Sequence, residues 1–210
     1  MKPICLMIAS GFTALTLALA GPAPGQIADP APGQIVAPNV KAALSDDNQK
    51  TIDFFLHAAE AYLATRRAAS SQKKLKPTTD VAEIERRREV LRQAVVTARP
   101  NAKQGDLFTP PVAGLFRDLL AKAMNGPDGN RIRGSLQHAE PGVAAESLLI
   151  AVNRPYPNQD GQPLQSAPAT LLQHLPVLPA GLEYRLVGKK LVLRDSEANI
   201  IVDYLPDAIR

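Results

Sequence analysis

LEYRLVGKKLVLRDSEANIIVDYLP, from Leu182 to Pro206, decides the fold class. Leu182, Tyr184 and Leu186 alternate with Glu183 and Arg185, the period-two pattern of a half-buried strand. Gly188-Lys189 then forms a two-residue loop, with glycine first as a type II′ turn requires. DSEAN turns the chain again, into a strand expected to carry Ile200, Val202 and Tyr204 on one face. Three antiparallel strands in a meander follow, with Asp195, Glu197 and Asp203 read as turn and edge residues.

Immediately upstream, SAPATLLQHLP reads as a short helix, with Ser166 as cap and Pro176 as stop. It is expected to cover the apolar face of the meander. ESLLIAV at 146–152 is an apolar run bounded by turn residues, the mark of a buried strand that could join the sheet as a fourth member. NRPYPNQDGQP between them is a loop.

The character before about Pro141 is helical. In SDDNQKTIDFFLHAAEAYLATRRAA, Ser45 is the N-cap, Asp46 and Asp47 occupy the first turn, and Arg66 and Arg67 complement the dipole at the far end. Ile52, Phe55, Leu56, Ala59, Tyr62 and Leu63 form one apolar stripe at helical spacing. A second helix starts at Asp80, which pairs with Glu83 in a capping-box pattern. Val81, Ile84, Arg88, Leu91, Val95 and Ala98 form its seam, with Glu83 and Arg87 on the outer surface. The short connection predicts an antiparallel hairpin of the two. A third helix has Thr109 as cap, Pro110 at N1 and Asn125-Gly126 as stop; a short fourth is capped by Asp128. The expectation is an α+β protein: an N-terminal helical hairpin plus amphipathic helices over 45–138, then a small antiparallel meander sheet with one short helix over 141–210.

Two segments precede the first helix. MKPICLMIASGFTALTLALA has a positive n-region at Lys2, an uncharged run from Ile4, and the small-x-small ending Ala18-Leu19-Ala20. It reads as a signal peptide over 1–20, cleaved between Ala20 and Gly21. The rival reading, a retained anchor, meets a run shorter than the roughly 20 residues a span needs. PAPGQI at 22–27 recurs at 30–35. Two copies of an octad are far below the 20–50 residues of a stacking repeat. The interspersed prolines and glycines oppose both helix and sheet. Residues 21–43 are therefore a Pro-rich disordered tether.

Export bounds the chemistry. The single cysteine, Cys5, leaves with the signal peptide, so the mature chain has no disulfide, thiol nucleophile or thiolate metal site. The formal charge of +4 falls by one with Lys2. No later apolar run is long enough to span a bilayer, so no transmembrane segment is expected after cleavage. No nucleic-acid partner is expected either, because no aromatic-basic interleaving supports one. The predicted location is the periplasm or the exterior.

Asp53, His57 and Glu60 share one face of the first helix, and a histidine with two carboxylates can hold a divalent cation. That face points roughly 100° away from the apolar stripe, so a solvated flank is the competing reading. Lys73, Lys74 and Lys76 form an uncompensated cationic loop that could touch an anionic envelope component. The GxSxG elbow, HExxH, P-loop and GxGxxG are all missing. No catalytic residue and no cofactor is assigned.

PAGLEYRLVGKKLVLRDSEANIIVDYLPDAI resembles the final hairpin of small periplasmic proteins grouped with the nickel/cobalt-homeostasis family. The likeness is in the Tyr-Arg, Val-Gly and Val-Leu-x-Asp rhythm. It implies the hairpin fold and no metal function, because no histidine or paired carboxylate in the stretch would bind nickel. The run from FTPPVAGLFRDLLAKAMNGPDGNRIRGSLQHAEP onward is similar to uncharacterised exported bacterial proteins, a resemblance that implies no activity. The expected role is non-catalytic binding, with an envelope protein or envelope component as partner. The alternative is a small-ligand or metal-binding periplasmic sensor.

Overall fold

The computed structural model describes residues 44–70, 79–138, 148–159, 162–163 and 167–209. The expected signal peptide with its Ala20–Gly21 junction, the expected tether, Lys73, Lys74 and Lys76, and the expected cap Ser166 lie outside them. The protein is α+β: the described residues form five helices and a three-stranded antiparallel meander.

Helix α1 (Asp46–Ala69) begins as the sequence predicts, with Ser45 Oγ accepting from the Asn48 N–H at 3.4 Å. Its stripe is buried at Ile52, Phe55, Ala59, Tyr62 and Leu63, and continues to Arg66. Helix α2 (Val81–Ala98) packs on α1. Asp80 caps it by accepting from the Ala82 N–H at 3.0 Å. The Glu83 carboxylate meets Arg86 and Arg87. The seam expected on α2 is shallow. Only Val95 is fully buried, Leu91 is half-buried, and Val81 and Ala98 face solvent. Glu83 and Arg87, expected on the outer surface, are instead partly buried.

Helix α3 (Pro110–Asn125) places Val112, Ala113, Leu115, Phe116, Leu119, Leu120 and Ala123 inside. Thr109 stands at its N-cap without a side-chain hydrogen bond, and Pro110 opens the first turn, where its missing N–H costs nothing. Phe55, Phe108 and Phe116 form a ring cluster with centroids 4.9–5.5 Å apart, and Tyr184 of the sheet lies 6.0 Å from Phe116. Helix α4 (Gly129–His138) adds Ile132 to the core.

A two-residue pair, β1 (Asn158–Gln159) and β2 (Gln162–Pro163), lies within the expected loop. Helix α5 (Ala169–Leu172) starts after Pro168 and packs against α3 and α4. The meander is β3 (Leu182–Val187), β4 (Lys190–Asp195) and β5 (Ile200–Leu205), in the order β3-β4-β5. Gly188 in the first turn has φ 56, while Lys189 keeps a negative φ, as a type II′ turn demands.

The register between β4 and β5 corrects the sequence reading. Leu193 faces Asp203 and Arg194 faces Ile201, so Val202 is an extra residue in β5. The bulge flips everything after it. Asp203 and Leu205 turn toward the helices, and Tyr204 joins Ile201 on the far face.

The run 146–152 is not a fourth strand over its described part, 148–152. Ile150 lies on the far face with Tyr156, Val187, Val192 and Ile201. Pairing begins only at Asn153, whose φ of 63 kinks the chain. The Asn153 N–H donates to Ile201 O, the Ile201 N–H to Arg154 O, and the Tyr156 N–H to Asn199 O, at 2.9–3.1 Å. Pro155 and Pro157 have no N–H to extend that ladder, so they cap the edge of β5. At the other edge Leu182, Tyr184 and Leu186 of β3 point into the core.

One principal core joins the helices to the near face of the sheet. The helical and α+β parts that the sequence suggests as subdomains thus share their interior.

Candidate functional site

The Asp53, His57 and Glu60 side chains are all exposed on α1. The Asp53 carboxylate accepts from Gln49 Nε2 at 2.8 Å. Seven residues of helix separate Asp53 from Glu60 by about 10 Å along the axis, too far for both to reach one ion. Among the described residues no three His, Cys, Asp or Glu side chains gather closely enough to hold a metal, and no helix is long and apolar enough to cross a membrane.

The ionisable groups that the fold does bring together are three that the sequence reading left at turns and edges. Asp195 ends β4 and is fully buried. Its Oδ2 accepts from the Tyr62 hydroxyl at 2.7 Å. Its Oδ1 accepts from Arg66 Nη1 at 2.9 Å and from the N–H groups of Glu197 and Ala198 at 2.9 and 3.1 Å. Arg66 Nη2 reaches Glu197 Oε1 at 3.1 Å. Tyr62 and Arg66 stand one turn apart on α1, so a single helix face supplies both donors. Burial, followed by the Asp195 charge, pushes the Tyr62 phenol far above its usual range. The Arg99 guanidinium lies 4.8 Å from the centroid of the Tyr62 ring.

Asp203 is the second fully buried carboxylate. The bulge points it at the loop between α2 and α3. Oδ1 accepts from the N–H groups of Gly105 and Tyr204, and Oδ2 from those of Leu107 and Phe108, all at 2.8–2.9 Å. Gly105 presents its N–H from a left-handed backbone, φ 89. Burial raises the Asp203 pKa above its usual value, and the four N–H bonds oppose that rise.

Beneath the far face, Arg194 donates through Nε and Nη2 to Asn199 Oδ1 at 3.0 and 2.7 Å and also meets Glu183. Its guanidinium lies 5.2 Å from the centre of the Tyr156 ring. Burial pushes the Tyr156 phenol up to about 12.

A carboxylate has about four lone-pair sites. Asp203 takes two bonds on each oxygen, its full complement, while Asp195 takes three on Oδ1 and one on Oδ2; both are shut off from solvent by burial. These carboxylates tie α1 and the α2–α3 loop to the meander. Apolar side chains that face solvent include Phe54 on α1, Val81 and Val90 on α2, Leu149 and Val177.

Compared with protein-family models, with curated proteins and with solved structures, the chain gives no match.

Proposed function

We propose that this is an exported protein of the cell envelope that acts by binding a protein partner rather than by catalysis. The observation that carries the reading is the burial of Asp195 and Asp203, the two fully buried carboxylates among the described residues, and their bonding to groups of the fold itself. An acid-base catalyst holds its carboxyl at hydrogen-bond reach of a reacting group, and these two are closed on the fold itself. Outward apolar side chains lie on helices α1 and α2. Phe54 is 56% exposed, and Val90 of the neighbouring helix is 65% exposed. A leader over residues 1–20, as the sequence reads, would carry such a surface beyond the inner membrane.

The test is site-specific photocrosslinking in intact cells, with a photoreactive residue at position 54, at 90, or at the exposed polar position 93 as control. A discrete adduct from 54 or 90 and none from 93 is the expected outcome. Adducts of equal yield from all three positions, or from none, would overturn the reading. Amino-terminal sequencing of the same material should find Gly21 first.

A further inference from the structure

A cleft of about 480 Å³ opens between the second half of α3, α4 and the carboxyl-terminal tail. Four charged side chains line it: Arg117, Asp118, Arg133 and Asp207. Both arginines are oriented by neutral oxygens. Arg117 donates to the carbonyls of Pro206 and Asp207 at 2.9 and 3.3 Å, and Arg133 to the Met124 carbonyl and to Asn130 Oδ1. Among the described residues, none of the four forms an ion pair. Two guanidiniums and two carboxylates thus share one concavity without neutralising each other. Elsewhere on the described surface, arginines do pair with acids one helical turn away, as Arg87 does with Glu83 and Arg131 with Asp128.

We propose that this cleft binds a short peptide in its zwitterionic form. The peptide carboxylate would meet Arg117 and Arg133, and its ammonium group Asp118 and Asp207. Met124 and Ile209 offer apolar surface for its side chains. Size and charge together select this class. At about 30 Å³ per water the cleft matches roughly sixteen waters, far more than an inorganic ion fills and close to a di- or tripeptide. Its volume falls in the usual range for small-ligand sites. A simple anion would meet the two aspartates and a simple cation the two arginines, whereas a ligand with both charges satisfies all four. Arg117 is half-buried and clamped to the tail, so its fork is held in place before any ligand arrives. The proposal is independent of the partner surface on α1 and α2.

Calorimetric titration of the mature protein with Leu-Leu tests it, beside N-acetyl-Leu-Leu and Leu-Leu amide. Saturable binding of the free dipeptide is expected, with each blocked form at least tenfold weaker. Arg133→Gln should weaken Leu-Leu and leave the amide unchanged. Asp118→Asn should weaken Leu-Leu and leave the N-acetyl form unchanged. Both residues are exposed, so the two variants should melt like the parent. No saturable binding of Leu-Leu or Leu-Leu-Leu would overturn the proposal, and so would equal affinity for the free and blocked forms. Loss of the crosslinks from positions 54 and 90 would leave it standing.

Discussion

Arg66 and Asp195 are separated by 129 residues of chain and by 2.9 Å in space. The pair is buried on both sides, with 8% and 0% of the side chains exposed. It joins the last turns of α1 to the end of β4, two elements that could otherwise slide along an apolar contact. Removing Arg66 leaves the Asp195 charge buried without its cation, which costs about 3–5 kcal/mol; removing Asp195 leaves Arg66 only the Glu197 carboxylate, itself 60% exposed. Arg66→Ala should lower the unfolding free energy measured in urea by about 3–5 kcal/mol, and Asp195→Ala should lower it as well. The double alanine variant should be less destabilised than the sum of the two. A strictly additive cycle would show that the contact contributes nothing.

Gly181 is part of the same lock. It has φ 94, and a Cβ there would sit 3.1 Å from Arg66 Nη1 and 3.4 Å from Glu197 Oε1. Gly181→Ala combines a left-handed backbone cost of about 1–2 kcal/mol with displacement of the guanidinium. It should lose stability in the parent and noticeably less in an Arg66→Ala background. Equal losses in both backgrounds would assign the whole effect to the backbone.

The strands β3, β4 and β5, the caps at Ser45 and Asp80, and the stripe on α1 were legible because each rests on neighbours in the chain. The lock was partly legible. Arg66 falls on the apolar stripe, four residues after Tyr62, and a cation there needs a buried anion. Reading it as a dipole complement missed that demand. The bulge at Val202 was not legible, because it depends on how β5 registers against β4. Alternation alone placed Tyr204 inside and Asp203 outside, the reverse of what the pairing gives. The run 148–152 failed for a related reason: an apolar segment lying across a sheet face has the composition of a strand within it. The cleft beside α3 had no local signal. Its charges come from α3, from α4 and from a tail some ninety residues later in the chain, counted from Arg117 to Asp207.

The tyrosines give a prediction without mutagenesis. Burial pushes the Tyr62 and Tyr184 phenols well above their usual range, and Tyr156 up to about 12. Phenolate absorbance should therefore show none of these three ionised at pH 10.5 while the circular dichroism is still native. The rest of the signal should appear together with unfolding. Tyr62→Phe removes a hydrogen bond to a buried carboxylate, a loss of about 1.5–3 kcal/mol. A phenolate signal from more than one tyrosine before unfolding would contradict the burial of this network.

Asp203 should set part of the acid response. Its carboxyl has a folded pKa above the unfolded value, because burial outweighs four backbone N–H bonds. The folded chain then binds a proton at a pH where the unfolded chain does not. Its contribution to stability is present in full below the unfolded pKa of about 3.9. It is lost as the pH rises through the folded value. Asp203→Asn removes the titration. It also turns an amide N–H2 toward N–H donors that had an oxygen, either those of Leu107 and Phe108 or those of Gly105 and Tyr204. The variant should be about 2–3 kcal/mol less stable than the parent at pH 7. That gap should widen as the pH falls from neutrality toward 4, since only the parent gains from protonation there. Urea unfolding of both proteins at a series of pH values measures it. A gap that narrows on acidification would mean that the four N–H bonds dominate and hold the carboxyl below its unfolded value.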